Sequence, residues 1–246
     1  MKPIIGVVHL KPLPGAPMHS DFLEVLDAAL KDARALEEGG VDALLIENFG
    51  DVPFLKTASP ETIACMTAVA KEIARETSLP MGINVLRNDA IAALAIAKAV
   101  NADFIRVNQL IFPSFMPEGF VDVNPGQVLR YKRQIDCRAM IFADVSVKHS
   151  VQLATLQHFA ENFERSLADA VIITGSSTGS APDIEAVSQA KKLFKAPVLV
   201  GSGVNPENVS EFMKLCDGII VGTYFKKSGR VEVERVRNLV RVAKGF

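Results

Sequence analysis

The chain has 246 residues, 49% of them apolar and 22% charged, and its formal net charge is −1. That composition supplies a large core and excludes a disordered chain. Lysines and arginines are scattered with no basic tract, which argues against a nucleic-acid partner, and no apolar run has the length of a membrane span.

The first apolar run, residues 4–9, ends on His9 and leads into "KPLPG". It is too short and too interrupted for a signal sequence. A helical pattern over 21–38 follows, then a buried run at 43–47 that ends on Glu47. Ser59-Pro60-Glu61 sets a cap residue before a proline at the first helical position and starts a helix over 60–77. Further strand patterns lie at 81–85, 104–108, 139–145, 170–174, 198–201 and 218–221. Helical patterns separate them at 89–100, 124–133, 150–165, 183–194 and 205–214, and a last helix over 231–244 closes the chain. "EEGGVDALLIE", "AVNADFIRV", "SLADAVIIT" and "KLCDGIIVG" share one design: a helix end, a turn with Asp, and a buried strand.

The strands are nearly continuous apolar runs, as expected of a parallel sheet covered on both faces. Eight such strands, each followed by a helix, predict a closed (β/α)8 barrel formed by residues 1–246 as one domain. An open doubly wound sheet is the alternative, but "GVVHLKPLPGAP" lacks the Gly-x-Gly-x-x-Gly spacing such folds carry after their first strand. Cys65, Cys137 and Cys216 stand far apart with no Cys-x-x-Cys pair. This usage fits buried thiols in a cytoplasmic protein and offers no zinc site.

A barrel of this kind carries its chemistry where the strands end. Glu47 and Asp144 there can act as general bases, can jointly hold a divalent cation, or can simply hydrogen-bond neighbouring loops. Lys148 can form a Schiff base if desolvated, or pair with a ligand phosphate or with Asp144. His9 is an acid/base candidate or a structural hydrogen-bonding group. Arg87 and Arg106 suit a carboxylate or phosphate clamp, or a salt bridge across the rim. Asn84, Asn108 and Lys226 complete the expected substrate contacts.

The last three strand ends carry "TGSSTG" (residues 174–179), "GSG" (201–203) and "GTYFK" (222–226). Small, hydroxyl-rich loops on adjacent strands suit a phosphate cup built from backbone N–H groups. The expected phosphate contacts are Thr174, Gly175, Gly201, Ser202, Gly203, Gly222 and Thr223. Asn205-Pro206-Glu207 is expected to start a helix aimed at the same point. "FPSFMPEGF" (112–120) is a lid over the mouth or a subunit contact; the chain is expected to form a homo-oligomer.

Taken together, "GVVHLKPLPGAP", "IENFGDVPF", "GINVLRND", "FIRVN", "ADVSVKHS", "VIITGSSTG", "VLVGSGVNPENV" and "DGIIVGTYFKKSG" resemble the BtpA family over nearly the whole chain. The resemblance implies a barrel in the style of phosphate-binding enzymes. For the photosynthetic member it implies a part in photosystem I accumulation as a peripheral membrane factor. Two function classes follow: a cytoplasmic enzyme acting on a small phosphorylated sugar or nucleotide-like metabolite, and a non-catalytic assembly factor. No cofactor is fixed by the sequence beyond the divalent cation considered above.

Overall fold

A computed structural model of the chain describes residues 2–146, 150–175 and 179–245. Lys148, His149 and residues 176–178 of the Ser-rich loop lie outside them. Eight parallel strands close a barrel: β1 (Ile4–His9), β2 (Ala43–Glu47), β3 (Met81–Asn84), β4 (Phe104–Val107), β5 (Met140–Ser146), β6 (Ala170–Ile173), β7 (Val198–Val200) and β8 (Gly218–Val221), with β1 paired to both β2 and β8. Eight helices surround it: α1 (Phe22–Gly39), α2 (Pro60–Glu76), α3 (Ala90–Val100), α4 (Pro125–Gln134), α5 (Leu156–Phe163), α6 (Ile184–Leu193), α7 (Val209–Leu215) and α8 (Val233–Lys244).

The two-residue period of the strands separates two cores. Ile5, Val7, Ala43, Leu45, Phe104, Ala170, Ile172, Leu199 and Ile220 form the inner one, with Phe142 packed against them. Their neighbours in sequence, such as Ile4, Val8, Leu44 and Ile46, join the outer core with Leu36, Met66 and Val69 of the helices. Phe104 lies where a Cβ on Gly82 would come within 2.2 Å of its ring, so β3 is thinned to admit it.

The recurring Asp motif has a single structural meaning. Asp42, Asp103, Asp169 and Asp217 each accept a backbone N–H at the start of the preceding strand, from Ile4, Met81, Ile141 and Val198, at 2.7–2.8 Å. Each also donates its own N–H to a carbonyl at that strand's start, at 2.7–2.8 Å. The even strands thus clamp the odd ones four times around the N-terminal face, where conserving geometry serves stability.

Two helices depart from their predicted limits. Residues 150–165 were expected to be one helix, but Val151–Gln152 is a strand and α5 starts only after Thr155, whose hydroxyl accepts from the His158 N–H at 3.3 Å. Val151–Gln152 pairs with Ser114–Met116, which pairs in turn with Gly119–Val121 across a two-residue turn. The segment expected as a lid or contact is therefore the hairpin of a small three-stranded sheet. Residues 205–208 form a turn before α7 rather than its first residues. Asn205 Oδ1 accepts from the Glu207 and Asn208 N–H groups, and Asn208 Oδ1 accepts from the Asn205 N–H. Asparagine side chains take up these donors before a helix can form.

Candidate active site

One step beyond the apolar inner layer, the strand period reaches His9, Glu47, Asn84, Arg106, Asp144, Thr174, Gly201 and Gly222. Polar side chains cap the core on β1 to β6, and glycines take the equivalent positions after β7 and β8. The barrel mouth thus presents side chains over six strand ends and backbone over two.

The charged half centres on Arg106, which is 5% exposed. Its Nε and Nη2 donate to the two oxygens of Asp144 at 3.0 and 2.8 Å, and its Nη1 lies 3.7 Å from Glu47 Oε2. Burial alone would pull the guanidinium down, but the charge and hydrogen bonds of Asp144, with Glu47 behind, hold it above the usual arginine value. The guanidinium thereby occupies the space between the two acids that a shared cation would need. Among the described residues no group of three or more His, Cys, Asp or Glu side chains is placed to hold a metal ion.

His9 Nε2 lies 3.6 Å from the other oxygen of Glu47, and its ring stacks on Phe49 with centroids 4.4 Å apart. A Cβ on Gly222 would come within 2.7 Å of His9 Cε1, so that glycine makes room for the imidazole. Asn108 Nδ2 donates to Asp144 at 3.3 Å, and Asn84 Nδ2 donates to Asn108 Oδ1 at 3.0 Å. Asn84 Oδ1 is buried without a hydrogen-bond partner among the described residues. A donor on a ligand would satisfy it.

On the backbone half, a cavity of ≈180 Å³ opens between the loops after β6, β7 and β8. Gly179, Gly203, Asn205, Gly222, Thr223 and Tyr224 line it. The short 3-10 turn Thr223–Phe225 begins at its edge with Gly222 in the capping position. Gly201 and Ser202 belong to the same loop as Gly203, and Thr174 and Gly175 enter the loop beside it. The space beside these glycines is taken by the protein itself: Ile172 fills it at Gly201, and the backbone at Ser180 and Ala181 fills it at Gly175 and Gly203. Gly203 also has φ +61°, which favours glycine.

Outside the ring, side-chain amides brace the loops. Asn48 accepts from the Leu86 N–H at 2.7 Å and donates to Asp51 at 3.0 Å, while Asp51 accepts from the Leu13 N–H at 2.8 Å. Asn88 and Gln109 exchange two bonds, and Gln109 then donates to the carbonyls of Ile111 and Phe112 at the root of the hairpin. Arg87, 7% exposed, faces Glu118 of the hairpin turn at 3.6 Å and the ring of Phe54 at 5.7 Å. Lys226 follows β8 on a two-strand hairpin with Arg230–Val231. Burial pushes its ammonium down to about 8, against the pull of Asp32 and Glu47.

Sequence reasoning named the ring but not Phe49, Phe54, Glu118 or Tyr224. Aromatic residues and a turn glutamate carry no strand-end signature; only the proline-flanked Phe-rich run hinted at the hairpin.

The family model described as "BtpA family" matches residues 1–245. An uncharacterised protein of Archaeoglobus fulgidus is 61% identical over 244 residues, covering 99% of each chain. The photosystem I biogenesis protein BtpA of Synechocystis is 40% identical, over 93% of this chain and 82% of its own length. Among solved structures, N-(5'-phosphoribosyl)anthranilate isomerase from Pyrococcus furiosus superposes with TM-score 0.63 at 17% identity, covering 100% of both chains. Thiamine phosphate pyrophosphorylase from the same organism does so with TM-score 0.63 at 18% identity, over 99% of this chain and 96% of its own. At these identities the two structures establish a shared barrel fold.

Proposed function

The chain belongs to the BtpA family, and from that premise we propose that it is an enzyme acting on a phosphorylated metabolite bound across the barrel mouth. The observation that carries this reading is the divided mouth: an imidazole, two carboxylates and a guanidinium on one side, and a backbone-lined cavity at the loops after β6 to β8 on the other. A water occupies about 30 Å³ in the liquid, so the ≈180 Å³ cavity has room for a phosphate group. Donors from a 3-10 turn at the end of the last strand suit such a group. The names of the isomerase and the pyrophosphorylase, both of which refer to phosphorylated molecules, agree with it.

In this reading His9 gives and takes a proton beside the ligand, and Glu47 orients the imidazole and balances its charge. Arg106, anchored by Asp144, stabilises negative charge developing on the substrate. Asn84 accepts a hydrogen bond from a ligand hydroxyl or amine. Lys226 lends charge from the loop after β8.

Calorimetric titration with inorganic phosphate and ribose 5-phosphate tests the reading. Both should bind wild type, and Thr223→Glu, a change at an exposed position, should weaken both at least tenfold by placing a carboxylate at the cavity edge. Equal affinity in the two proteins would count against the cavity.

A second reading, a non-catalytic assembly factor, draws on the name of the Synechocystis relative and on the outer face of the hairpin, where Phe115 and Phe120 are 50% and 45% exposed. It requires that Phe115→Ser with Phe120→Ser abolish function in cells while His9→Asn does not.

A further inference from the structure

We propose that a cavity between the loops after β1 and β2 and the start of α2 is a binding site for a small organic cation, an alkylammonium compound. It shares no lining residue with the cavity after β6 to β8, so it does not depend on the phosphate reading.

The cavity measures ≈210 Å³, the room of about seven waters in the liquid. Its walls are largely apolar: Ala16 and Pro17 from the first loop, Pro53 and Leu55 from the second, and Leu86 after β3. Leu55 is exposed, as are Met18 and Val52, the chain neighbours of the two lining prolines. Apolar surface therefore continues beyond the cavity itself.

Two carboxylates, Asp51 and Glu61, line the same space, and among the described residues no lysine, arginine or histidine does. Asp51 is 9% exposed and fixed in place: Oδ1 accepts from the Leu13 N–H at 2.8 Å and Oδ2 from Asn48 Nδ2 at 3.0 Å. Both donors are neutral, and each oxygen keeps a lone pair for a further one. Asp51 makes no ion pair among the described residues. Glu61 lies against Gly15, where a Cβ would come within 2.7 Å of its Oε1.

The positive end of α2 is already answered inside the protein. Ser59 accepts from the Thr62 N–H, and the backbone N–H of Glu61 holds its own carboxyl below the usual carboxylate range. Two negative groups thus face a largely apolar space. They repel an anion, and they are too few to hold a metal ion, for which no group of three ligands exists among the described residues. A cation on a hydrocarbon stem suits both features: its ammonium meets Asp51 and offsets the cost of burying that charge, and its stem lies on Pro17, Pro53 and Leu86.

The test follows backbone amide signals of nitrogen-15-labelled protein at pH 7 while n-butylamine, 1-butanol or butyrate is added. The amine is a cation at this pH. It should shift Gly15, Ala16, Ala58 and Thr62 and bind about tenfold or more tightly than the alcohol, while butyrate leaves these signals in place. Asp51→Asn should weaken the amine about tenfold and leave the alcohol unchanged. Leu55→Lys, at an exposed position, brings an ammonium to the cavity from the chain itself and should also weaken the amine about tenfold. That variant preserves the test if Asp51→Asn does not fold. An alcohol or butyrate that binds as tightly as the amine, or amine affinity unchanged in the folded variants, overturns the proposal. So do shifts confined to other residues and an absence of amine binding. Phosphate added to the same samples reads the other cavity, so either site can fail while the other stands.

Discussion

Arg106 and Asp144 form a bidentate pair with neither partner open to water, and both hydrogen bonds are at 3.0 Å or less. Such a pair contributes little over an apolar replacement, but removing one member strands the other. Asp144→Asn should therefore destabilise the chain by about 3 kcal/mol in urea unfolding, despite the near-identical shape. Lys226 makes the opposite contribution. Its folded value, about 8, lies below the unfolded 10.5, so below pH 8 the folded state holds a proton against the cost of burial. Between about pH 8 and 10.5 the unfolded chain binds more protons than the folded one, and stability rises with pH through this window. Lys226→Met should raise the unfolding free energy at pH 7 by about 1–3 kcal/mol, and that gain should fade by pH 10.5. At this scale the sequence disclosed which polar residues reach the mouth, because the strand period dictates it. It did not disclose that Arg106 takes the place between Glu47 and Asp144, or that Gly222 yields its space to His9. Those are facts of contact between strands far apart in the chain.

Elements at the two ends of the barrel have different tasks. At the N-terminal face the four aspartate clamps join each odd strand to the next even one. Asp103→Ala should leave the partly buried Met81 N–H without its acceptor and cost about 1–3 kcal/mol in urea unfolding. Lys195→Ala, which removes an exposed pair with Glu164, should leave the midpoint in place. The clamp was visible beforehand as a repeated Asp before each even strand, though its partner was not. At the C-terminal face, local pattern failed where tertiary pairing took over. Val151–Gln152 is a strand only because Ser114–Met116 lies beside it. The turn at 205–208 escaped notice because Asn-Pro-Glu is equally a helix start. Its donors are taken up internally by the two asparagine side chains.

For the molecule as a whole, strand count, strand order and closure follow from eight apolar runs with helices between them, and the barrel was legible for that reason. The mouth was legible only in part, since its backbone-lined side is built from loops whose lengths and partners no local pattern encodes. The central claim is that the loops after β6 to β8 hold a phosphate. A crystal structure of the protein grown with inorganic phosphate tests it most directly. The account predicts one phosphate in the cavity lined by Gly203, Gly222 and Thr223, within hydrogen-bond distance of the backbone there. A cavity filled only by water, with phosphate bound elsewhere on the molecule, would contradict it.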